Sequence, residues 1–173
     1  MSIVKIFRNV LAIAMLGCGC SHAHAALTCS VSGASLGFGN YNDASAANKD
    51  VSAALSVRCC RNPPGNNATL VIAMGVSTNS SAANKILTRQ MKNGANSDLM
   101  TYQLYTDSFG GTVWGDGVTG GSVSSIPITV TTNCPTQTTI TSPTGLTVFG
   151  RIFPLQPVSA GTYGDTVTIT VTP

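Results

Sequence analysis

The sequence predicts an all-β protein, an immunoglobulin-like or related β-sandwich. Three observations carry this. Helical periodicity is almost absent. Thr, Ser, Val, Gly and Asn dominate, and short alternating apolar runs are separated by turn clusters. Residues 51–59 form the first run, with Leu55, Val57 and Cys59 on one face. Residues 68–75 form the second. In residues 100–106, Met100, Tyr102 and Leu104 make an inward row. Residues 126–132 and 146–152 follow. Residues 163–172 are the clearest: Tyr163, Asp165, Val167, Ile169 and Val171 share one face, and Thr166, Thr168, Thr170 and Thr172 the other. Breakers fall between the runs, at residues 61–67, Gly110-Gly111, Gly115-Asp116-Gly117, Pro154 and Pro157. Residues 119–143, rich in Gly, Ser, Thr and Pro, fit two edge strands or one long exposed loop.

Residues 1–25 read as a secretory signal peptide. Lys5 and Arg8 supply the positive start, residues 10–16 the apolar run, and Ala23-His24-Ala25 a small-x-small cleavage site. A weaker competitor is a lipoprotein site at Leu16-Gly17-Cys18. Cleavage after Ala25 leaves 173 − 25 = 148 residues, a single domain at 26–173. His22, His24, Cys18 and Cys20 depart with the leader. The remainder has 9 − 2 = 7 basic residues, 6 Asp and no Glu, a net charge of +1.

This composition excludes several functions. Without His or Glu the commonest general acids and bases are missing. A Ser or Cys nucleophile has no His base, and no motif sets Lys49, Lys85 or Lys92 beside one. No cofactor or metal site is expected, because His ligands and CxxC pairs are absent. The low charge without basic clusters argues against nucleic acid as a partner. Past the leader no apolar run approaches ~18 residues, so no membrane span is expected. A structural or binding protein, not an enzyme, is the expectation.

Export makes disulfides available to Cys29, Cys59, Cys60 and Cys134, and four cysteines allow three pairings. Strand parity turns Cys59 inward and Cys60 outward. The expected pairs are Cys29–Cys59 in the core and Cys60–Cys134 near the surface. One disulfide with two idle thiols is the alternative.

Several motifs now combine. Phe38-Gly39-Asn40-Tyr41 follows the first cysteine of the exported chain, and Leu55-Ser56-Val57-Arg58-Cys59 ends a run at the second. Residues 102–107 precede Trp114-Gly115-Asp116-Gly117. Phe149-Gly150-Arg151-Ile152 leads to Gln156 and to Ala160-Gly161-Thr162-Tyr163-Gly164-Asp165. This order and spacing resembles the spore coat protein U domain family, which includes subunits of archaic (Csu-type) chaperone–usher pili. The resemblance covers essentially the whole exported chain. It implies an incomplete immunoglobulin-like sandwich whose last strand is supplied in trans. The implied partners are a periplasmic pilus chaperone, an outer-membrane usher and a neighbouring pilin that donates a strand. The implied route runs through the periplasm to a fimbria at the cell surface, with a role in attachment and biofilm. The acceptor groove would be lined by inward residues of the first and last strands, with Val167, Ile169 and Val171 the leading candidates.

One departure stands out. Polymerising subunits of this family carry about a dozen donor residues before the first cysteine, whereas only Ala26-Leu27-Thr28 lies between the expected cleavage site and Cys29. Three residues reach ~10 Å, too short to fill a groove. The expectation is a subunit that accepts a strand but does not donate one, hence a terminal, tip-like position. In a tip, residues 119–143, with Val123 and Ile126, would be candidate contact loops. A spore, cyst or envelope coat protein of the same fold is the alternative, and a periplasmic carbohydrate-binding module a more remote one. Trp114-Gly115-Asp116-Gly117 is expected to be a structural turn with Trp114 over the sandwich end. Asp107, Asp116 and Asp165 read as turn formers. Arg151 is expected to pair with Asp165 or Asp107.

Overall fold

The computed structural model of the protein describes residues 26–32, 35–62, 67–129, 138–140 and 146–172. The expected leader at 1–25, with Cys18, and Cys134 lie outside these residues. The described residues form strands and loops with no helix. The strands are β1 (Ala26–Ser32), β2 (Lys49–Ala54), β3 (Ser56–Asn62), β4 (Asn67–Met74), β5 (Arg89–Asn93), β6 (Leu99–Tyr105), β7 (Ser124–Thr129), β8 (Thr138–Ile140), β9 (Thr147–Ile152), β10 (Tyr163–Gly164) and β11 (Ile169–Thr172).

They make three antiparallel sheets. The largest has the order β10-β5-β6-β9-β2, and two three-stranded sheets have the orders β1-β3-β8 and β11-β4-β7. The core is closed between them by Val57 and Cys59 from β3, Leu70 and Ile72 from β4, Leu104 from β6 and Val148 from β9.

Two expected strands are divided between sheets. The run at 51–59 becomes β2 and β3, separated at Leu55. Its amide donates to Leu146 O at 2.6 Å. The run at 163–172 becomes β10, paired with β5, and β11, paired with β4. Alternation survives both crossings: Leu55, Val57 and Cys59 are buried, and Tyr163, Asp165, Val167, Ile169 and Val171 are half-buried between exposed neighbours. A strand that passes from one layer of a sandwich to the other keeps the same side toward the core, so periodicity alone does not reveal the change of partner.

Within residues 119–143, residues 119–123 belong to a loop, and two strands follow: β7 pairs with β4 and β8 with β3, each at a sheet edge. Sequence patterning passed over β1 and β5. In β1, Leu27, Cys29 and Val31 are half-buried and alternate with exposed residues, a signal obscured by the adjoining leader. In β5 the inward positions are Arg89, Met91 and Asn93, and two polar residues hide the pattern.

Candidate functional site

The last strand runs along one side of a groove. β10 and β11 each pair on one side only and end their sheets. Facing them lies the segment 35–41, which belongs to no strand and makes no backbone–backbone hydrogen bond to another described residue. Between the two walls are cavities of about 720 and 360 Å³, which share Leu36, Phe38, Met91 and Tyr163 and so form one groove. Its floor is made of buried core residues: Met74 from β4, Met91 from β5, Met100, Tyr102 and Leu104 from β6, and Val148 and Ile152 from β9.

Side chains hold the wall at 35–41 in place. Phe38 meets the Tyr102 ring edge-on, with centroids 6.4 Å apart. Gly150 of β9 lets this happen: a Cβ there would come within 2.8 Å of Phe38 Cζ and 3.1 Å of Leu36 Cδ1. Tyr41 Oη donates to Phe153 O at 3.0 Å and accepts from the Gln156 amide at 2.8 Å. Gln156 in turn bonds both backbone groups of Thr101, through Oε1 at 2.6 Å and Nε2 at 2.9 Å. Gly39, beside Phe38, lies in the left-handed region at φ 68°.

The opposite wall is anchored by Asp165. It accepts from Tyr102 Oη at 2.8 Å, and from Thr78 Oγ1 and Asn79 Nδ2 at 3.0 Å each. Burial, then the bond to Asp165, push the Tyr102 phenol far above its ordinary range, so it remains a donor. Tyr163 Oη donates to Ser159 O at 2.8 Å. Gly161 packs so closely on Asn93 that a Cβ would lie 2.5 Å from Nδ2. Of the expected groove residues, Val167 and Ile169 line the smaller cavity, and Val171 packs on the core further along the strand.

The Trp-Gly-Asp-Gly segment lies outside the groove. Trp114 is fully buried within the core cluster, and its Nε1 donates to Ile72 O at 2.9 Å. Asp116 closes the loop, accepting from Val118 N, Thr119 N and Gly120 N and from Thr119 Oγ1. These bonds, led by the Thr119 hydroxyl, hold its carboxyl well below the ordinary range. Gly117 adopts φ 73°, and a Cβ on Gly115 would meet Gly120 O at 1.8 Å, so both positions need glycine.

Sequence reasoning passed over the residue behind this loop. Arg89 is fully buried. Its Nη1 donates to Ile86 O and to Gln103 Oε1, and its Nη2 to Met74 O, Gly75 O and Trp114 O. One guanidinium therefore joins the end of β4, the β5–β6 hairpin and the Trp114 segment. Burial lowers its pKa, opposed by Tyr102, Asp165 and Asp116. Flanked by Lys85 and Lys92, Arg89 carries no sequence signal that sets it apart for such a role.

Other pairings differ from expectation. Arg151 bonds Asp50, its cross-strand neighbour, through Nε at 2.7 Å and Nη2 at 2.8 Å. It pairs with neither Asp165 nor Asp107, because register puts β2 directly beside β9. Asp107 instead accepts from Ser108 N, Thr112 N and Thr112 Oγ1 within its own turn. Cys29 is bonded to Cys59, its partner in the β1–β3 register. Cys60 is also disulfide-bonded, and it is buried at 3% exposure rather than near the surface. It stands in the middle strand of its sheet, with β1 and β8 on either side. Val123 is half-buried, and a Cβ on Gly117 would lie 3.2 Å from its Cγ1. Ile126 stands in β7 opposite Leu70. Val123 itself lies just before β7 and belongs to no strand. Among the described residues there is no cluster of three or more His, Cys, Asp or Glu to hold a metal, and no helix long and apolar enough to cross a membrane.

The described strands thus form a β-sandwich with a groove along its last strand. Residues 16–170 match the Spore Coat Protein U domain, and the chain belongs to that family. No curated protein matches it. Among solved structures it is similar to a chain of the CsuC–CsuE chaperone–tip adhesion subunit pre-assembly complex, from the archaic chaperone–usher Csu pili of Acinetobacter baumannii. The identity is 22% and the TM-score 0.50, over 84% of this chain and 39% of that one. A chain of a chaperone–tip adhesin complex of CFA/I fimbriae biogenesis is also similar, at 16% identity and a TM-score of 0.38, over 84% of this chain and 42% of that one. The chain thus spans about two-fifths of the length of these structures. The first likeness establishes the fold, an immunoglobulin-like sandwich of the chaperone–usher pilus type.

Proposed function

We propose that this chain is an exported, non-catalytic subunit of an archaic chaperone–usher fimbria, assembled by accepting a β-strand in trans. The carrying observation is the groove between the one-sided last strand and the unpaired segment 35–41, floored by core residues. An inserted strand would satisfy backbone groups on both walls and cover the floor. Three or four inward apolar side chains contribute roughly 5–12 kcal/mol of burial. That rivals the whole stability of a domain, ~5–15 kcal/mol. A periplasmic chaperone would occupy the groove first. A neighbouring pilin's strand would replace it at the outer-membrane usher, and attachment and biofilm formation would follow at the cell surface.

A terminal, tip-like position is the finer part of the proposal. With cleavage after Ala25, the first residues of the exported chain are those of β1, already paired with β3, and so committed to the subunit's own fold. Mass spectrometry of the mature N-terminus tests this: a start well before Ala26 would refute it. The acceptor role is tested by mixing the exported chain with a synthetic donor peptide of alternating apolar residues. At a hundredfold excess over Kd the gain is about 2.7 kcal/mol, a rise in Tm of roughly 5–10 °C. No rise with any such peptide would sink the acceptor reading. The family's description also admits a coat protein. Chaperone and usher genes beside this one favour the fimbria, and their absence favours the coat.

A further inference from the structure

The chain contains five methionines, Met1, Met15, Met74, Met91 and Met100. The first two lie in the expected leader. The other three all lie in the groove floor, on three consecutive strands, and Met91 and Met100 face each other across β5 and β6. They are 2%, 8% and 4% exposed. The rest of the floor is Tyr102, Leu104, Val148 and Ile152, and the core away from the groove is built of stiffer residues such as Leu55, Val57, Leu70, Ile72 and Leu146. Every methionine beyond the expected leader therefore lines the groove, mixed there with branched residues.

We infer that these methionines make the groove tolerant of shape, so that it accepts strands whose inward residues differ in size and branching. This rests on the strand-acceptor reading and specifies the partner within it. An unbranched thioether has three rotatable bonds and is polarizable, so it refills gaps that a branched residue leaves as voids. A rigid apolar pocket discriminates a single methylene by about 10–200-fold. A methionine floor lowers that penalty by repacking. Such tolerance suits a groove occupied in succession by strands of different sequence. The backbone edges supply common affinity and the floor adjusts to each occupant.

The test uses synthetic peptides of about 10 residues, long enough to run roughly 33 Å as a strand. They alternate Thr and Val, and one central apolar position is varied among Val, Leu, Ile, Met and Phe. With the exported chain, the affinities are expected to fall within about tenfold of one another. With a Met74→Leu, Met91→Leu, Met100→Leu variant the spread is expected to exceed about tenfold, as for a stiff pocket. An equal spread in both proteins overturns the inference while leaving the acceptor reading intact. Failure of every peptide to bind the native chain overturns both. The native chain gives a second readout that needs no variant. Its three methionine methyl NMR signals should move on binding, and differently for each peptide. Identical shifts for Val and Phe peptides would show a floor that does not repack, and would overturn the inference.

Discussion

Replacing Arg89 by Met probes how the closed end of the sandwich is held. Met keeps most of the apolar stem and removes the guanidinium. Five bonds disappear. Ile86 O keeps a donor in Gln103 Nε2, and Gln103 Oε1 keeps one in Leu104 N. The buried Met74 O and Trp114 O and the part-buried Gly75 O have no other side-chain donor among the described residues. Two buried acceptors left unpaired cost about 2–6 kcal/mol. Removing a desolvated cation offsets part of this, and Arg89 Nε is already without a partner. The expected net loss is about 3 kcal/mol, or roughly 10 °C in Tm for a domain of this size. Arg89→Lys keeps the charge but not the fork, and should lose about half as much. The assay is urea unfolding followed by fluorescence of Trp114, the single tryptophan. A variant within about 0.5 kcal/mol of the native chain would refute the reasoning, because the carbonyls would then have found other partners.

Three further outcomes are expected. Replacing Cys29 and Cys59 by Ala should cost about 3.5 kcal/mol, from a loop closed over a separation of 30 residues, read by urea midpoints under oxidising conditions. Gly150→Ala should cost about 1–3 kcal/mol by pressing on Phe38 and Leu36, and should perturb those two side chains in NMR before any on β1. Hydrogen bonds, foremost from Ser159 to Asp98, from Thr112 to Asp107 and from Thr119 to Asp116, hold these carboxyls below their unfolded values. Depressed carboxylates contribute stability that is fully present above the unfolded pKa. It is lost as pH falls through the folded values, so a decline should begin below about pH 4 in acid titration of Tm. With no His or Glu beyond residue 25, stability should be nearly flat between about pH 5 and 8; a transition there would contradict this account.

Much of this molecule is legible in its residues, because alternation is a local property. The run from Tyr163 to Thr172 shows its inward and outward faces without reference to any partner, and Met100, Tyr102 and Leu104 do the same. Strand parity turned Cys59 inward and so favoured Cys29–Cys59 among the three pairings, but it also turned Cys60 outward, and Cys60 is buried. Other features are set by register between distant strands. Only the placing of β2 beside β9 brings Asp50 to Arg151, and only the meeting of three segments makes Arg89 a clamp. The same periodicity spans 51–59 and 163–172 whether or not the strand changes sheet, so both crossings were silent. The sequence by itself determined an all-β domain, poor in catalytic groups beyond residue 25 and ordered by family motifs. Tertiary structure decided where that sandwich stays open. A groove exists only when two separate walls, 35–41 and the last strand, leave their facing edges unpaired, and no single stretch of residues encodes that vacancy.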